Sequence, residues 1–149
     1  MARDREQGLR VARAGAARFG LDADSFRLIR DAPEGDGLVY EAMRGTVPAI
    51  LKVAQAAPEE MPTRRAKAAF SEYLDQNGAA ACEQFRSLNG ELVEAVTDGE
   101  SSFALAAFRR APGRGLDLND PAAFTPQALA AWGRALGRFH ALARSYPLG

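Results

Sequence analysis

Between residues 4 and 19 the apolar positions Leu9, Val11, Ala12, Ala16 and Phe19 fall on one loose helical stripe, which Gly20 ends. The period then changes. Phe26, Leu28 and Arg30 alternate with Arg27, Ile29 and Asp31, predicting a strand over 25–31, and the Pro/Gly stretch APEGDG (32–37) predicts a turn. LVYEAM (38–43) and VPAILKV (47–53) predict two further strands, joined at Arg44-Gly45-Thr46 as an antiparallel hairpin. Helical spacing returns in TRRAKAAFSEYLDQNG (63–78), with Thr63 at the N-cap, Phe70, Tyr73 and Leu74 on the apolar face, and Gly78 as a left-handed stop. Residues 79–108 read as strands again. ACEQFRSL and ELVEAVT flank the hairpin signal Asn89-Gly90, and SSFALAAF follows the turn Asp98-Gly99-Glu100. RRAPGRGLDLNDP (109–121) reads as a linker. From Thr125-Pro126 a helix runs to about Ser145, with Leu129, Trp132, Leu136, Phe139, His140 and Ala143 marking its apolar face. Strands grouped into antiparallel hairpins around an inserted helix predict an α+β fold with a five- or six-stranded antiparallel sheet, not a doubly wound parallel one.

Composition narrows the chemistry. The 149 residues are 47% hydrophobic and 26% charged, enough for a core of their own. Acidic and basic residues balance at 19 each, which argues against a dedicated nucleic-acid or membrane-surface binder. One cysteine, Cys82, excludes an internal disulfide and multi-cysteine metal sites, and one histidine, His140, excludes a His-rich zinc site. Cys82 is expected to be a buried structural thiol, since no basic neighbour lowers its pKa. The first residues, MARDREQGLR, lack an apolar signal-peptide core, so the chain reads as cytoplasmic. Only Lys52 and Lys67 are lysines; the other 17 basic residues are arginine. Lys52 lies inside the apolar run ILKV, where a buried charge needs a partner.

A glycine-bearing turn between the first two strands, a lysine on the third, then a helix, further strands and a hinge make up the build of kinase small lobes. There the turn brings backbone amides near phosphates, the lysine neutralises them, a helix acid fixes the lysine, and the hinge backbone meets adenine. The stretches RLIRDAPEGDGLVYEA, AILKVA, SEYLDQNGAA, SLNGELVEAVTDGESSFALAAFRRAPGR and LGRALGRFHALARSYP resemble the aminoglycoside phosphotransferase/choline kinase-like family, over that family's N-terminal half. The resemblance implies a protein-kinase-like N-terminal lobe over residues 1–110. Residues 111–149 would then be the hinge linker and the first helix of a C-terminal lobe. It implies ATP as the bound nucleotide, with Lys52 on the phosphates, Gly35 and Gly37 in the phosphate-facing turn, and Phe108, Arg109 and Ala111 at the adenine hinge. Asp36 would place a negative charge beside those phosphates. The family's helix acid falls on Lys67 here; if Lys67 faces Lys52, the two repel and an anionic ligand must compensate. Glu72 projects from another face of the helix, Arg114 reads as a solvated linker residue, and His140 as a structural one.

The family's catalytic loop, a His-Gly-Asp-like triplet followed by Asn, has no counterpart in this sequence; Asp117 and Asp120 stand in the linker without downstream partners. No catalytic and no metal-binding residue is therefore expected. The nucleotide should bind weakly, and a small hydroxyl-bearing substrate should be engaged only together with a C-terminal lobe. Three readings follow: the nucleotide-binding half of a small-molecule phosphotransferase, a stand-alone binding or regulatory module with the lobe's fold, or an unrelated α+β domain. Helix 125–145 is expected to swing out beyond the hinge at 109–121, with its apolar face exposed and supporting self-association.

Overall fold

Alternation in one strand organises the molecule. In the computed structural model, which describes residues 2–32, 37–113 and 119–147, strand β3 (Val47–Gln55) turns Ala49, Leu51 and Val53 into the core and Ile50, Lys52 and Ala54 to the opposite face. On either side of it lie β2 (Gly37–Arg44) and β6 (Ser101–Arg109), and β1 (Arg27–Ala32) flanks β2. With β4 (Gln84–Phe85) and β5 (Glu94–Asp98) on the far edge of β6 they form a six-stranded sheet, antiparallel at every pairing. The α+β expectation is met, with a sheet at the upper end of the expected strand count.

Each face of the sheet has its own helix. Helix α1 (Ala2–Ala16) and the short turn after it press Val11, Ala12, Ala16 and Phe19 against Tyr40, Leu51, Leu105 and Ala107. Each large side chain fully buried there contributes roughly 1.5–3 kcal/mol. Helix α2 (Met61–Gln76) covers part of the other face, where Met61 and Ala68 pack with Ala56, Leu92, Val93 and Ala104. That second cluster is smaller, so a strip of the α2-side face stays open.

Three local expectations need correction. Thr63 is not the cap of α2: the helix begins at Met61, behind a tight turn over Pro58–Glu60. The Glu60 side chain accepts the Ala57 amide (2.7 Å), and Pro62 suits the first helical turn, so the N-cap position falls at Glu60, three residues earlier. Next, Asn89-Gly90 does not close a hairpin. Only Gln84–Phe85 of the 79–86 stretch is strand, and β4 and β5 lie end to end along β6, pairing with 107–108 and 101–105. One edge of a nine-residue strand accommodates both, so the turn joins neighbours that never pair. Finally, helix α3 (Pro126–Ala143), capped by Thr125 as expected, does not stand wholly clear of the lobe. Arg138 donates to the Asn77 carbonyl (2.7 Å), and the Tyr146 ring meets Phe70 and Tyr73 edge-on at 4.9 and 5.0 Å.

Below the Asn89 turn, a buried carboxylate ties α1's end to the sheet. Glu94 is 7% exposed; it accepts from Arg18 (3.1 Å) and Asn89 (3.1 Å), while Arg18 also reaches the Ala95 carbonyl (2.7 Å). Burial pushes the Glu94 carboxyl up, but hydrogen bonds from Ser87, Asn89 and Arg18 together outweigh it and hold the group below its ordinary value. A folded value below the unfolded one means that the stabilisation is complete at neutral pH and is lost as pH falls below about 4.5. Glu94→Gln should cost about 1 kcal/mol at neutral pH, and urea midpoints of variant and parent should converge on acidification. A gap that stays constant through that range would contradict this role.

Candidate functional site

The open strip of the α2-side face is lined by register partners. Val39 on β2, Lys52 on β3 and Ala106 on β6 stand directly opposite one another, as do Glu41, Ile50 and Phe108 one step along. Antiparallel partners share a face, so Lys52 sits in the middle strand with small or apolar neighbours on both sides. Its Nζ lies 5.6 Å from the centroid of the Phe108 ring, within cation–π reach.

Two adjoining cavities open on this strip, and Lys52, Ser71 and Phe108 line both. The inner one, about 310 Å³, lies between the sheet and α2. Arg64, Lys67, Ala68 and Ser71 face it from the helix, and their spacing of three, four and seven residues is one helical stripe. The outer one, about 820 Å³, reaches Ile50, Cys82, the segment Phe108–Ala111, Gly113 and Phe139 of α3.

The charge of the inner cavity is one-sided. Lys52, Arg64 and Lys67 line it, and among its described lining residues none is acidic. The Arg64 Nη2 donates to the Gln55 carbonyl (3.3 Å), and its Nε is buried with no hydrogen-bond partner among the described residues. Glu72, as expected, turns elsewhere and pairs with Arg86. Glu60 caps the helix start, so no helix acid faces β3 where the resemblance places one.

Phe108 and Arg109 end β6, and the chain leaves the sheet over Arg110–Ala111 along the outer cavity, held by its own bonds. The Arg109 amide donates to the Glu83 carbonyl (2.8 Å) and the Arg110 amide to the Pro48 carbonyl (3.0 Å). Arg110 pairs through its guanidinium with Glu41 (2.7 Å), which also pairs with Arg27. The Arg27 hydrogen bond, opposed by burial and supported by the charges of Arg110 and Arg27, holds the Glu41 carboxyl below its usual range. The segment is thus anchored across β2, and a planar base resting on it would use backbone groups other than these two amides.

Gly37 opens β2 with φ +72°, and a Cβ there would sit 2.3 Å from the Val53 carbonyl oxygen. Close approach to β3 therefore demands glycine at this position, whatever the turn before it holds. Gly35, Asp36, Arg114 and Asp117 lie outside the described residues. Asp120 caps the short turn at Pro121–Ala123 by accepting the Ala122 amide (3.0 Å). Cys82 is not buried: it is exposed, in a loop rather than a strand, on the wall of the outer cavity. His140 is likewise exposed rather than packed inside.

Sequence reasoning missed Ile50, Arg64 and Ser71 as cleft residues. The period-two register with Lys52 was the available signal for the first, and the helical spacing from Lys67 for the others.

Sheet, inserted helix, mid-strand lysine and the segment leading out to α3 define the class: the N-terminal lobe of a protein-kinase-like fold. Among proteins of known activity, amicoumacin kinase of Bacillus subtilis (strain 168) is 32% identical over 139 residues, 93% of this chain and 40% of that one. The solved structure of amicoumacin kinase hAmiN in complex with AMP-PNP, Ca2+ and Ami superposes with a TM-score of 0.78 at 22% identity, over 99% of this chain and 44% of the other. A microcompartment-associated aminopropanol kinase follows at 0.63 and 16%, over 89% and 39%. No family model matches the chain. The resemblance to aminoglycoside-phosphotransferase-like kinases is upheld, and the chain spans about two-fifths of the length of the relatives it matches.

Proposed function

We propose that this chain forms the nucleotide-binding half of an ATP-dependent small-molecule phosphotransferase of the aminoglycoside phosphotransferase type, working in the cytoplasm. The observation that carries the reading is Lys52. A lysine in mid-sheet, facing a cleft between β3 and α2 beside the 108–111 segment, is where the α- and β-phosphates of a nucleotide need a cation. In this reading residues 1–110 are the lobe and 111–149 the hinge and first helix of a second one. Phe108, Arg109 and Ala111 bound the base, and Gly35 and Gly37 lie near the phosphates. The orphaned Arg64 Nε and the cationic lining fit an anionic ligand.

Phosphoryl transfer also needs an acid that accepts the hydroxyl proton and ligands for magnesium. His140 is followed by Ala141, and no His-Gly-Asp-like series occurs in these 149 residues. The catalytic acid, the metal ligands and the pocket for a small hydroxyl-bearing acceptor therefore belong to a second lobe, so the chain alone transfers no phosphate. Affinity for ATP should be no better than about millimolar, some 4 kcal/mol. Titration with ATP and magnesium should shift the amides of Gly37, Lys52 and Phe108, and Lys52→Ala should reduce those shifts. No perturbation there at high millimolar ATP would favour the non-catalytic module instead.

The same reading assigns a partner to α3. Leu129, Trp132 and Leu136 are 49, 55 and 44% exposed on one stripe, a face that a second lobe covers in a complete kinase. Alone, the chain should self-associate through it. Sedimentation should show concentration-dependent dimers that Trp132→Glu abolishes, and a clean monomer at high concentration would contradict this.

A further inference from the structure

We infer that Glu41 is a positioning residue for the base end of the cleft: through Arg110 it sets the course of the chain that leaves β6. This rests on the nucleotide reading above and assigns to it a residue that lines neither cavity.

Register brings the pieces together. Glu41 on β2 stands opposite Ile50 on β3, and Ile50 opposite Phe108 on β6, so all three belong to the same face of the sheet. Ile50, Phe108, Arg110 and Ala111 line the outer cavity, whereas Glu41 does not. Its carboxylate therefore acts on that cavity only through a partner. Oε1 accepts from the Arg110 guanidinium (2.7 Å), and Oε2 accepts from Arg27, the register partner of Glu41 on β1.

Two holds grip the chain where it leaves the sheet, and they differ in strength. On the β4 side, Arg109 bonds to Glu83 through both its amide and its guanidinium. That ion pair is 50 and 47% exposed at its two ends, where such a pair contributes little. On the β2 side, Arg110 donates its amide to the Pro48 carbonyl and its guanidinium to Glu41. The Glu41 side chain is only 17% exposed and engages two guanidinium groups at once, so the pair is less screened by solvent. Without the carboxylate, Arg27 and Arg110 would meet as like charges, and the Arg110 side chain would turn to solvent. A base resting on Arg110–Ala111 would then have to order that segment as it binds, which costs affinity. Charge alone predicts the opposite sign, since removing a carboxylate near a bound anion favours the anion.

The test uses the full 149-residue chain. Without ligand, Glu41→Gln should speed hydrogen exchange at the Arg110 amide about tenfold and leave the amides of Leu51 and Leu105 unchanged. In amide-shift titrations it should weaken ATP about three- to tenfold while inorganic tripolyphosphate binds no more weakly, a split that general destabilisation would not produce. Arg110→Met should weaken ATP equally, and the double variant no further, because both changes remove one link. Arg110→Lys keeps a cation for Glu41 and should retain most of the affinity. Glu83→Gln removes the same charge at the exposed pair and should change ATP binding less than about twofold. Arg110 is half exposed, so its variants carry the test should Glu41→Gln unfold β1. Unchanged exchange at Arg110 in Glu41→Gln, additive losses in the double variant, or an equal loss in Glu83→Gln would overturn the inference and leave the nucleotide reading standing. Faster exchange at Arg110, with no ATP bound by the parent chain at high millimolar concentration, would uphold the hold on the segment and remove the nucleotide reading.

Discussion

The register between β3 and β6 is the constraint on which the cleft depends. Seven consecutive pairs, from Ala49 with Arg109 to Gln55 with Phe103, place Lys52 opposite Ala106 and Leu51 opposite Ala107. A slip of β3 by one residue would turn Lys52 into the core beneath α1 and expose Leu51, which is fully buried. The apolar demand of the α1 face thus determines where the lysine points. The direction in which Lys52 points is a by-product of core packing on the opposite side of the same strand.

From that register the rest of the cleft follows by proximity. β6 ends at Phe108–Arg109 and continues directly into Arg110–Ala111, so a ligand at Lys52 would lie beside the segment leading to α3. Glu41, one register step away on β2, holds Arg110 and fixes that segment's exit. α2 is tied in by the small cluster around Met61, Ala68 and Val93. Because that cluster is limited, the helix covers only part of the face and leaves its cationic stripe over the gap. The interior against α1 is apolar and close to complete, whereas the α2 side is charged and open; the packed core and the candidate site lie on different faces of one sheet.

Much of this was legible in the sequence, and the failures have physical causes. Period-two and period-3.6 patterns located α1, β1, β2, β3, α2 and β6, each of which packs one face against the core, and also α3, whose apolar stripe keeps the helical spacing although it is exposed. Thr63 was misread because a Pro-opened turn, with Glu60 bonding back to Ala57, starts the helix earlier than an apolar count reveals. Asn89-Gly90 correctly signalled a turn but not its topology: two strands joined by a tight turn can share a third strand's edge instead of pairing. Cys82 was misplaced because burial was argued from residue type, while its segment borders a cavity. Lys52 could be read from its apolar surroundings. Arg64 and Ser71 could not, because a polar helix stripe announces a ligand only once the facing strand is known.

The central claim is that β3, α2 and the segment after β6 enclose one anion-binding, nucleotide-sized site. Hydrogen–deuterium exchange of the chain with and without saturating ATP tests it most directly, since it reads all three elements in one experiment. The account predicts coordinated slowing in β3, over residues 64–71 of α2 and over 108–111, with the α1 face unchanged. Protection confined to α3, or none in α2 and β3 under conditions where ATP is shown to bind, would contradict it.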